Sequence, residues 1–504
     1  MKRWVSILLV LVMLLGLTAC GENATGEKEN DSTNQELVVK EGVPSYADDE
    51  EIQLAAYAGP RRAGYRNYNG VIGGHPDDPA EGWEGWITEE AFQDYVDCGL
   101  NYLLPEFDAL YETNKPFLNS DLYKYMELAE KMNIPVVVSA EQLILMTSSD
   151  DYRLNDDLKA MLSEMVGNLS AYTTFKGFSF RDEPDYEHAK TFGAVKDYLT
   201  GLKSDLFFFT SLLPIYADPV RLTNNYTGST VDAYKDYVNA FMEETGTFAY
   251  DHYPLFLDPV SGETRLDSTW LQNLRLVAER AKESDSDTGI TVQSCAFGPA
   301  GKQNVEEYKR AVTTKADVSF QVYSALAYGM DYLTYFTYWE HWNESDAEEF
   351  YSAMVHYPEQ NGGEPVKTEA YYAVKEVNEE IKKFDHVFLK FDWEGTMALT
   401  KKDAAKSPML AEAGKYSSPR IASATATDET IIGCMKDENG YDGFMIVNVT
   451  DPGKDLSDQV TVTFKKASKA IVYVQGEEQT VELKDGSYTF DLTSGEGVFV
   501  IPLV

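Results

Sequence analysis

The stretch that decides the fold is Gly177-Phe178-Ser179-Phe180-Arg181-Asp182-Glu183-Pro184. Its first half is a short, largely apolar run, which is typical of a strand buried inside a parallel sheet. Its second half places three charged side chains and a proline directly after that run. The sequence therefore predicts a buried strand that ends in a cluster of ionisable groups.

Seven further apolar runs share this pattern, and each of the eight is followed by a segment with a helical period near 3.6 residues. The predicted strands cover 52–58, 102–105, 135–139, 177–180, 206–210, 247–250, 290–293 and 332–336. The first predicted helix begins after the N-cap Thr88, and the others cover 122–132, 158–169, 189–202, 234–244, 270–282, 306–327 and 371–383.

The alternation of strands and helices indicates an α/β fold, and eight pairs fit a (β/α)8 TIM barrel over residues 51–394. An open doubly wound sheet is the alternative, but no Gly-rich dinucleotide-binding motif follows the first predicted strand. The carboxyl ends of all the strands of a barrel meet at one face, and active sites lie there. The residues directly after each run are therefore the candidates for a functional site.

The rest of the chain, 395–504, has a different pattern. Short β-like runs are separated by turns rich in Gly, Asp, Asn and Lys, which is typical of an antiparallel β-sandwich. The predicted strands of this domain cover 430–434, 443–449, 460–464, 470–474, 479–483, 488–492 and 498–501.

Residues 1–20 have the order of a secretory signal peptide, in which Lys2 and Arg3 precede an apolar run that is too short to favour a spanning helix. The ending Leu17-Thr18-Ala19-Cys20 resembles the lipobox of bacterial lipoproteins. The resemblance implies a lipid on Cys20 that anchors the exported chain to the outer face of a bacterial cell membrane. A plain signal peptide is the alternative. Residues 21–50 are polar and acidic without a period, which predicts a disordered linker.

The chain is strongly acidic, since 504 residues include 43 Lys and Arg against 83 Asp and Glu, for a formal charge of −40. Phosphate binding needs a basic surface, so this balance argues against a nucleic-acid partner. It also argues against a charge-driven contact with an anionic membrane, so the lipid on Cys20 is the membrane attachment that we expect. The oligomeric state stays open.

Acidic and aromatic side chains are concentrated just after the predicted strands, which is the composition expected of a carbohydrate site. The candidate catalytic residues are Glu183, Asp251 and Glu340. The candidate substrate-binding residues are Tyr57, Arg61, Glu106, Glu141, Arg181, Asp182, Tyr253, Gln293, Tyr338 and Trp339.

Glu183 is the leading candidate for a general acid. A like charge on Asp182 and partial burial would both favour the protonated form of its carboxyl group. Cleavage of a glycosidic bond requires such an acid, because the leaving oxygen must be protonated while an oxocarbenium-like centre develops. The structural alternative is an ion pair between Arg181 and Asp182, with Glu183 as a helix N-terminal charge before Pro184.

The barrel length, the acid followed by Pro184 and the C-terminal sandwich resemble the clan A retaining glycoside hydrolases, which include bacterial β-galactosidases. The segments 321–329 and 332–339 are similar to the entry into the last strand of family 42 enzymes. The resemblance implies that Glu183 is the acid/base. The chain departs from the clan at two positions: Asp182 replaces the usual Asn, and Gln293 stands where a nucleophilic Glu ends strand seven.

A second carboxylate must therefore come from another strand, and Asp251 and Glu340 are the candidates. Tyr250 and Asp251 are similar to the strand-six Tyr-Asp of family 18 chitinases, in which the substrate's acetamido group is the nucleophile. A second carboxyl about 5 to 5.5 Å from Glu183 would suit a nucleophile, and one about 6.5 to 9.5 Å away would suit an inverting base. Each candidate also has a structural alternative to a catalytic role. Asp251 would be a helix cap or an ion-pair partner, and Glu340 would be a solvated acid in a loop.

We expect no cofactor and no catalytic metal. His75, His252 and His341 do not share a ligand spacing such as His-x-x-x-His, and no phosphate-binding loop or Gly-x-Ser-x-Gly motif is present. Structural calcium at an Asp-rich loop stays open.

These observations predict a surface-tethered glycoside hydrolase that cleaves O-glycosidic bonds of extracellular oligo- or polysaccharides. The first alternative is a non-catalytic glycan-binding lipoprotein with a degenerate barrel site, as Gln293 would allow. The second is a solute-binding lipoprotein of a transporter, which would have two open α/β lobes instead of eight repeated units.

Overall fold

The computed structural model of the chain describes residues 37–60, 86–105, 116–140, 153–223, 228–258, 261–299, 309–339, 341–343, 348–356 and 365–504. Within these ranges, the strands before the C-terminal region are β1 (Gln53–Ala56), β2 (Val136–Ser139), β3 (Phe175–Ser179), β4 (Phe207–Phe209), β5 (Ser211–Leu212), β6 (Phe248–Asp251), β7 (Leu255–Leu257), β8 (Thr264–Leu266), β9 (Thr288–Gln293), β10 (Ala296–Pro299), β11 (Tyr332–Phe336), β12 (His341–Asn343), β13 (Glu348–Tyr351), β14 (Val355–His356) and β15 (Val366–Lys367).

Eight of these strands form two parallel sheets, with the orders β1-β11-β9-β6-β5 and β2-β3-β4. Hydrogen bonds link the two sheets along both sides. On one side, the amides of Asn101 and Tyr102 donate to the carbonyl of Leu54, while Leu103 forms a parallel bridge with Val136. On the other side, the amide of Glu183 donates to the carbonyl of Ser211 at 2.9 Å. The carboxyl ends of these strands therefore share one edge.

The described helices are α1 (Glu89–Asp97), α2 (Asp121–Met132), α3 (Asp156–Leu169), α4 (Ala189–Leu202), α5 (Pro219–Leu222), α6 (Thr230–Thr245), α7 (Trp270–Ser284), α8 (Lys315–Leu326), α9 (Glu369–Ile381), α10 (Asp385–Phe388) and α11 (Pro408–Ala411). Local sequence sets several of their ends. Thr88 caps α1, Asn155 caps α3, and Thr314 forms a capping box with Asp317 at α8. The helix predicted over 306–327 therefore begins later, at Lys315.

Apolar side chains fill both sides of the parallel strands. A large apolar cluster lies between the strands and the helices, as the alternation of strands and helices along the chain predicts. A smaller cluster is formed by side chains on the strands and their extensions, and its buried members are Ala55, Tyr57, Leu104, Val137, Phe209, Ala249 and Tyr332. Burial on both faces explains why the strand sequences are nearly continuous apolar runs.

The C-terminal region consists of antiparallel strands: β16 (Phe391–Leu399), β17 (Ile421–Thr425), β18 (Thr430–Asp437), β19 (Asp442–Asn448), β20 (Ser457–Phe464), β21 (Lys469–Val474), β22 (Glu477–Glu482), β23 (Ser487–Thr493) and β24 (Gly497–Leu503). They form a six-stranded sheet, β16-β18-β19-β24-β21-β22, and a three-stranded sheet, β17-β20-β23. The two sheets share one apolar cluster, which includes Phe444, Val460 and Val500.

The six-stranded sheet also packs against the helical layer. The ring of Phe499 stacks on Phe384 with centroids 6.2 Å apart, and the two residues belong to one core cluster. Strand β16 starts at Phe391, ahead of the boundary expected at 395, and a register irregularity between Trp393 and Gly395 hides its alternation in the sequence.

Part of the predicted linker 21–50 contacts the folded body. The hydroxyl of Tyr46 donates to Asp437 at 3.0 Å, and Lys390 pairs with Asp49 and Glu50. The hydroxyl of Tyr441 donates to the carbonyl of Glu41. Residues 41–50 therefore contact the folded body, and Tyr46 supplies an aromatic side chain to this contact.

The structure confirms the α/β prediction, with parallel strands and helices followed by antiparallel sheets. The predicted strand 102–105 is reduced to the single bridge of Leu103. The described ranges contain no helix with the length and apolar character needed to cross a membrane.

Candidate active site

The structure describes nine of the thirteen predicted catalytic and substrate-binding residues. Arg61, Glu106, Glu141 and Glu340 lie outside the described residues, as does the predicted lipidation residue Cys20. The described nine separate into a group at the carboxyl ends of β3, β6 and β1 and a group with buried structural roles.

Glu183 lies in the turn after β3, in an unusual backbone conformation with φ +43°. Its side chain is 40% exposed, and its carboxylate lies 3.5 Å from the guanidinium of Arg221. Asp182 precedes it and accepts a 3.4 Å hydrogen bond from the hydroxyl of Tyr57. The turn therefore presents a partly exposed carboxylate beside a second acid, as the sequence predicted.

Asp251, the last residue of β6, lies next to Glu183. Its side chain is almost completely buried, with 4% of the residue exposed, and its Oδ1 atom has no hydrogen-bond partner. Burial raises the pKa of Asp251 well above its ordinary value, and the charges of Glu183 and Asp182, together with side-chain hydrogen bonding to Glu183, raise it further. Asp251 and Glu183 therefore form a carboxyl pair in which the protonated form of Asp251 is favoured.

Aromatic rings surround this pair. Tyr57 and Tyr253 both contact Phe336, the last residue of β11, with ring centroids 6.0 and 5.6 Å apart. Burial raises the pKa of Tyr253, and the neighbouring charge of Asp251 raises it further. Tyr216, which follows β5, is 44% exposed and packs edge-on against His252. Tyr216, Tyr253 and Phe336 are at least partly exposed, so a sugar face can pack on them. Tyr57 is 3% exposed and belongs to an apolar cluster, so the expectation that its ring contacts substrate is revised.

His252 follows Asp251 and is fully buried. Its Nδ1 atom lies 3.1 Å from Oδ1 of Asn273, and its Nε2 atom lies 3.5 Å from Asp267. Because that amide oxygen also accepts from the amide of Ile215, Nδ1 of His252 is the protonated nitrogen that donates to it. The pKa of Asp267 is lowered although burial opposes this, because the neighbouring His252 and the hydrogen bonds from the amide and hydroxyl of Thr269 stabilise its carboxylate.

Gln293 ends β9 and has a structural role. Its residue is 1% exposed, its Oε1 accepts from the amide of Leu255, and its Nε2 donates to the carbonyl of Arg310 at 2.7 Å and to that of Cys295 at 3.2 Å. Gln321 binds both backbone groups of Gln293. We therefore revise the expectation that Gln293 contacts substrate, since backbone groups occupy its amide.

Tyr338 and Trp339 are also buried, at 2% and 1% exposure. After β11 the chain continues beside the end of β1, where the amide of Tyr338 donates to the carbonyl of Tyr57. The ring of Tyr338 packs against Tyr95 of α1, and Trp339 stacks on Trp86. The expectation that these two rings bind sugar is therefore revised, because both belong to the apolar core.

Arg181 precedes Asp182 in the turn and is partly exposed. Its positive charge contributes, after burial, to the lowered pKa of His188. Sequence reasoning missed Arg221 and Phe336. Phe336 ends a predicted strand and could have been found from its position. Arg221 lies on the short helix α5, and the only sequence signal near it is the N-cap Asp218 before Pro219, which indicates a helix but not a contact with Glu183.

The opposite end of the parallel strands also has a cavity, of about 860 Å³, which Gln53, Pro135, Phe207, Asp287 and Asp331 help to line. In the described ranges, no three His, Cys, Asp or Glu side chains converge as metal ligands would.

No protein-family model matches the sequence, and a search of curated proteins finds no match. Among solved structures, a protein described as a glycoside hydrolase aligns at 11% identity with a TM-score of 0.50, covering 90% of this chain and 92% of its own. An Anoxybacillus α-amylase aligns at 10% identity and a TM-score of 0.48, covering 90% and 98%. An α-L-arabinofuranosidase from Thermotoga maritima aligns at 9% identity and a TM-score of 0.42, covering 89% and 96%.

These likenesses concern the fold. The α-amylase and the arabinofuranosidase score below 0.5, so we draw no conclusion from them. The first structure supports a shared architecture over most of both chains, but at 11% identity it assigns no activity to this one.

Proposed function

We propose that this chain is a glycoside hydrolase whose parallel strands close into a (β/α)8 barrel, with Glu183 as the general acid at its carboxyl face. The observation that carries the proposal is the carboxyl pair of Glu183 and the almost completely buried Asp251. Hydrogen bonds along both sides of the two parallel sheets support closure. The partly exposed rings of Tyr253 and Phe336 offer the apolar surface that a carbohydrate substrate needs.

The two carboxyl groups have different tasks in this mechanism. Glu183 is 40% exposed and can reach the glycosidic oxygen, whereas Asp251 is buried behind it and holds the shared proton. Glu183 donates that proton to the leaving oxygen as the bond between the anomeric carbon and oxygen breaks. Water then adds to the anomeric carbon and gives up a proton, which returns to the carboxyl pair. The almost complete burial of Asp251 leaves its carboxyl group no open path to the sugar. Asp251 therefore supports Glu183 rather than facing it across the sugar.

The group on the other face of the sugar is a separate proposal. Glu340 follows β11 by four positions in the sequence and lies outside the described residues. It remains our candidate for the second carboxylate, because Gln293 at the end of β9 is occupied by backbone groups. The external polysaccharide substrate and the lipid anchor on Cys20 are likewise proposals from the sequence.

Release of reducing sugar from a panel of neutral oligo- and polysaccharides tests the activity. We expect the wild type to hydrolyse at least one glycan, and Glu183→Gln to reduce kcat by about 10²- to 10⁴-fold, the usual contribution of a general acid. Glu187→Gln is the matched control, because Glu187 is an exposed acid four residues away. Equal hydrolysis by the wild type and Glu183→Gln would refute the role of Glu183.

The second candidate function is glycan binding without turnover. The specific observation that favours it is Gln293, which stands where the resembled clan has its nucleophile and whose amide is bound to the backbone. Calorimetric titration with the same panel distinguishes the two functions. Tight binding of a glycan that no preparation of the wild type hydrolyses would favour the binding protein.

A further inference from the structure

Hydrogen bonds from other segments fix the backbone of the turn that carries Glu183. The amide of Glu183 donates to the carbonyl of Ser211 on β5. Its own carbonyl accepts a 2.6 Å hydrogen bond from Arg221, and the next carbonyl, of Pro184, accepts a 2.5 Å bond from the hydroxyl of Tyr237. The conformation of the turn is therefore fixed by side chains from α5 and α6.

This restraint is needed because Glu183 has φ +43°, in the left-handed region that a residue with a β-carbon rarely adopts. Such a conformation costs about 1 kcal/mol or more and persists only where the surroundings determine it. A turn of this kind would relax if its anchors were removed. The carboxylate of Glu183 would then lose its place beside Asp251.

Arg221 makes three contacts with this turn. Its Nη2 donates to the carbonyl of Glu183, its Nη1 lies 3.5 Å from the Glu183 carboxylate, and its Nε donates to Asp185 at 2.6 Å. One planar guanidinium therefore holds the backbone and the side chain of the same acid, while Asp185 fixes the guanidinium itself. A lysine at this position would supply a charge but not the fork of donors.

We propose that Arg221 is a positioning residue that holds the Glu183 carboxylate in its place between Asp251 and the substrate. The inference rests on the proposed function, because it concerns the same acid. Arg221 acts through Glu183, so its removal should slow the chemical step and leave substrate binding nearly intact.

The test measures kcat and KM on the glycan that the wild type hydrolyses fastest. We expect Arg221→Ala to lower kcat by about 10- to 100-fold, the effect of misplacing a catalytic group by about 1 Å, with KM within about twofold of the wild type. Guanidinium ion, added below the concentration that unfolds the wild type, should restore part of kcat. The kcat of Arg221→Lys should lie between those of Arg221→Ala and the wild type, because lysine keeps the positive charge but lacks the planar set of donors of the guanidinium.

Two further variants keep the test decisive. Asp185→Asn weakens the anchor of Arg221 without touching Glu183, so a smaller loss of kcat is expected, and this variant decides the matter if Arg221→Ala does not fold. Arg275→Ala is the matched control, since Arg275 binds Glu279 and Glu412 on the surface, and its kinetics should match the wild type.

The outcomes separate this inference from the proposed function. If the wild type hydrolyses no glycan, both the proposed function and the role of Arg221 are overturned. If the wild type is active and folded Arg221→Ala keeps its kcat, only the role of Arg221 is overturned. A loss that appears mainly in KM, or that does not respond to guanidinium, would also overturn it, because it would indicate direct substrate binding or general damage to the fold.

Discussion

The ends of β6 and β9 differ in chemistry although the two strands are hydrogen-bonded neighbours in one parallel sheet. Asp251 ends β6 with an oxygen that has no hydrogen-bond partner, next to the charges of Glu183 and Asp182. Gln293 ends β9 with its amide bound to the backbone of Leu255, Cys295 and Arg310. Both residues are buried, so the difference lies in the partners that each side chain finds.

The comparison teaches that burial of a polar strand end has two opposite meanings. A buried amide that is fully hydrogen-bonded stabilises the loops around it and is of little use to a ligand. A buried carboxyl group beside like charges destabilises its own ionised form and is suited to holding a proton. We therefore place the proton chemistry at β6 and the structural support at β9.

The largest expected effect is the loss of stability on substitution of Gln293. Gln293→Glu replaces two N–H donors with a carboxylate that faces the carbonyl oxygens of Arg310 and Cys295. We expect the free energy of unfolding to fall by about 3 kcal/mol or more, because buried acceptors and a buried charge lose their partners. Urea unfolding monitored by circular dichroism measures the change.

Gln479→Glu, on the exposed strand β22, is the control for this substitution and should change stability by less than about 0.5 kcal/mol. If Gln293→Glu were as stable as the wild type and hydrolysed sugars faster, Gln293 would belong to the active site. The contrast between a structural Gln293 and a proton-holding Asp251 would then be wrong.

A smaller effect is expected for Asp251→Asn. Burial and like charges raise the pKa of Asp251 in the folded chain, whereas an unfolded Asp ionises near pH 3.9. Folding must therefore bind a proton above that pH, and wild-type stability falls as the pH rises from about 3.9 toward the folded pKa. Asn has no such proton to bind. We expect Asp251→Asn to be more stable than the wild type at pH 7, by about 1 kcal/mol, as is usual for a single stabilising change.

Urea unfolding of both proteins at pH 4 and pH 7 checks this sign. The difference between them should be much smaller at pH 4, where Asp251 is protonated in the folded chain and about half protonated in the unfolded one. A variant that is less stable than the wild type at pH 7 would show that Asp251 is ionised in the folded chain.

The smallest expected effect concerns the origin of the proton affinity of Asp251. Of the two neighbouring charges, that of Glu183 contributes more than that of Asp182, and Glu183 also hydrogen-bonds to Asp251. We expect Glu183→Gln to lower the pKa of Asp251 more than Asp182→Asn does. Carboxyl ¹³C nuclear magnetic resonance titration measures both shifts, and Glu187→Gln should leave the resonance in place. Equal shifts for the two acids would contradict the close pairing of Glu183 with Asp251.

Much of the fold could be predicted because the strands and helices depend on local pattern. The run before Arg181 forms β3 as expected, and Thr88 and Asn155 cap helices whose first residues the apolar period already indicated. Strand β16 was missed because an irregularity near Trp393 interrupts its alternation, and the segment around Leu103 retains a single bridge. Such local departures are set by the neighbouring strand and not by the residues themselves.

The candidate site could be predicted only in part. The sequence selected Glu183 and Asp251 because both follow a predicted strand, and the structure places them together because parallel strands bring their carboxyl ends to one side. The same rule also selected Tyr338, Trp339 and Gln293, whose side chains are buried in the core. Position after a strand gives the end of the sheet at which a residue lies, but not the direction in which its side chain points once the chain turns away.

The sequence by itself determined the order of strands and helices, the antiparallel character of the C-terminal region and the two acids that follow β3 and β6, because periodicity and chain order are local properties. Only the tertiary structure decided that Asp251 is buried against Glu183, that Gln293 is bound to backbone groups and that Arg221 holds Glu183 from a separate helix. Those facts depend on contacts between segments about 40 to 70 residues apart, or on backbone groups whose direction is fixed only when the sheet and its loops pack together.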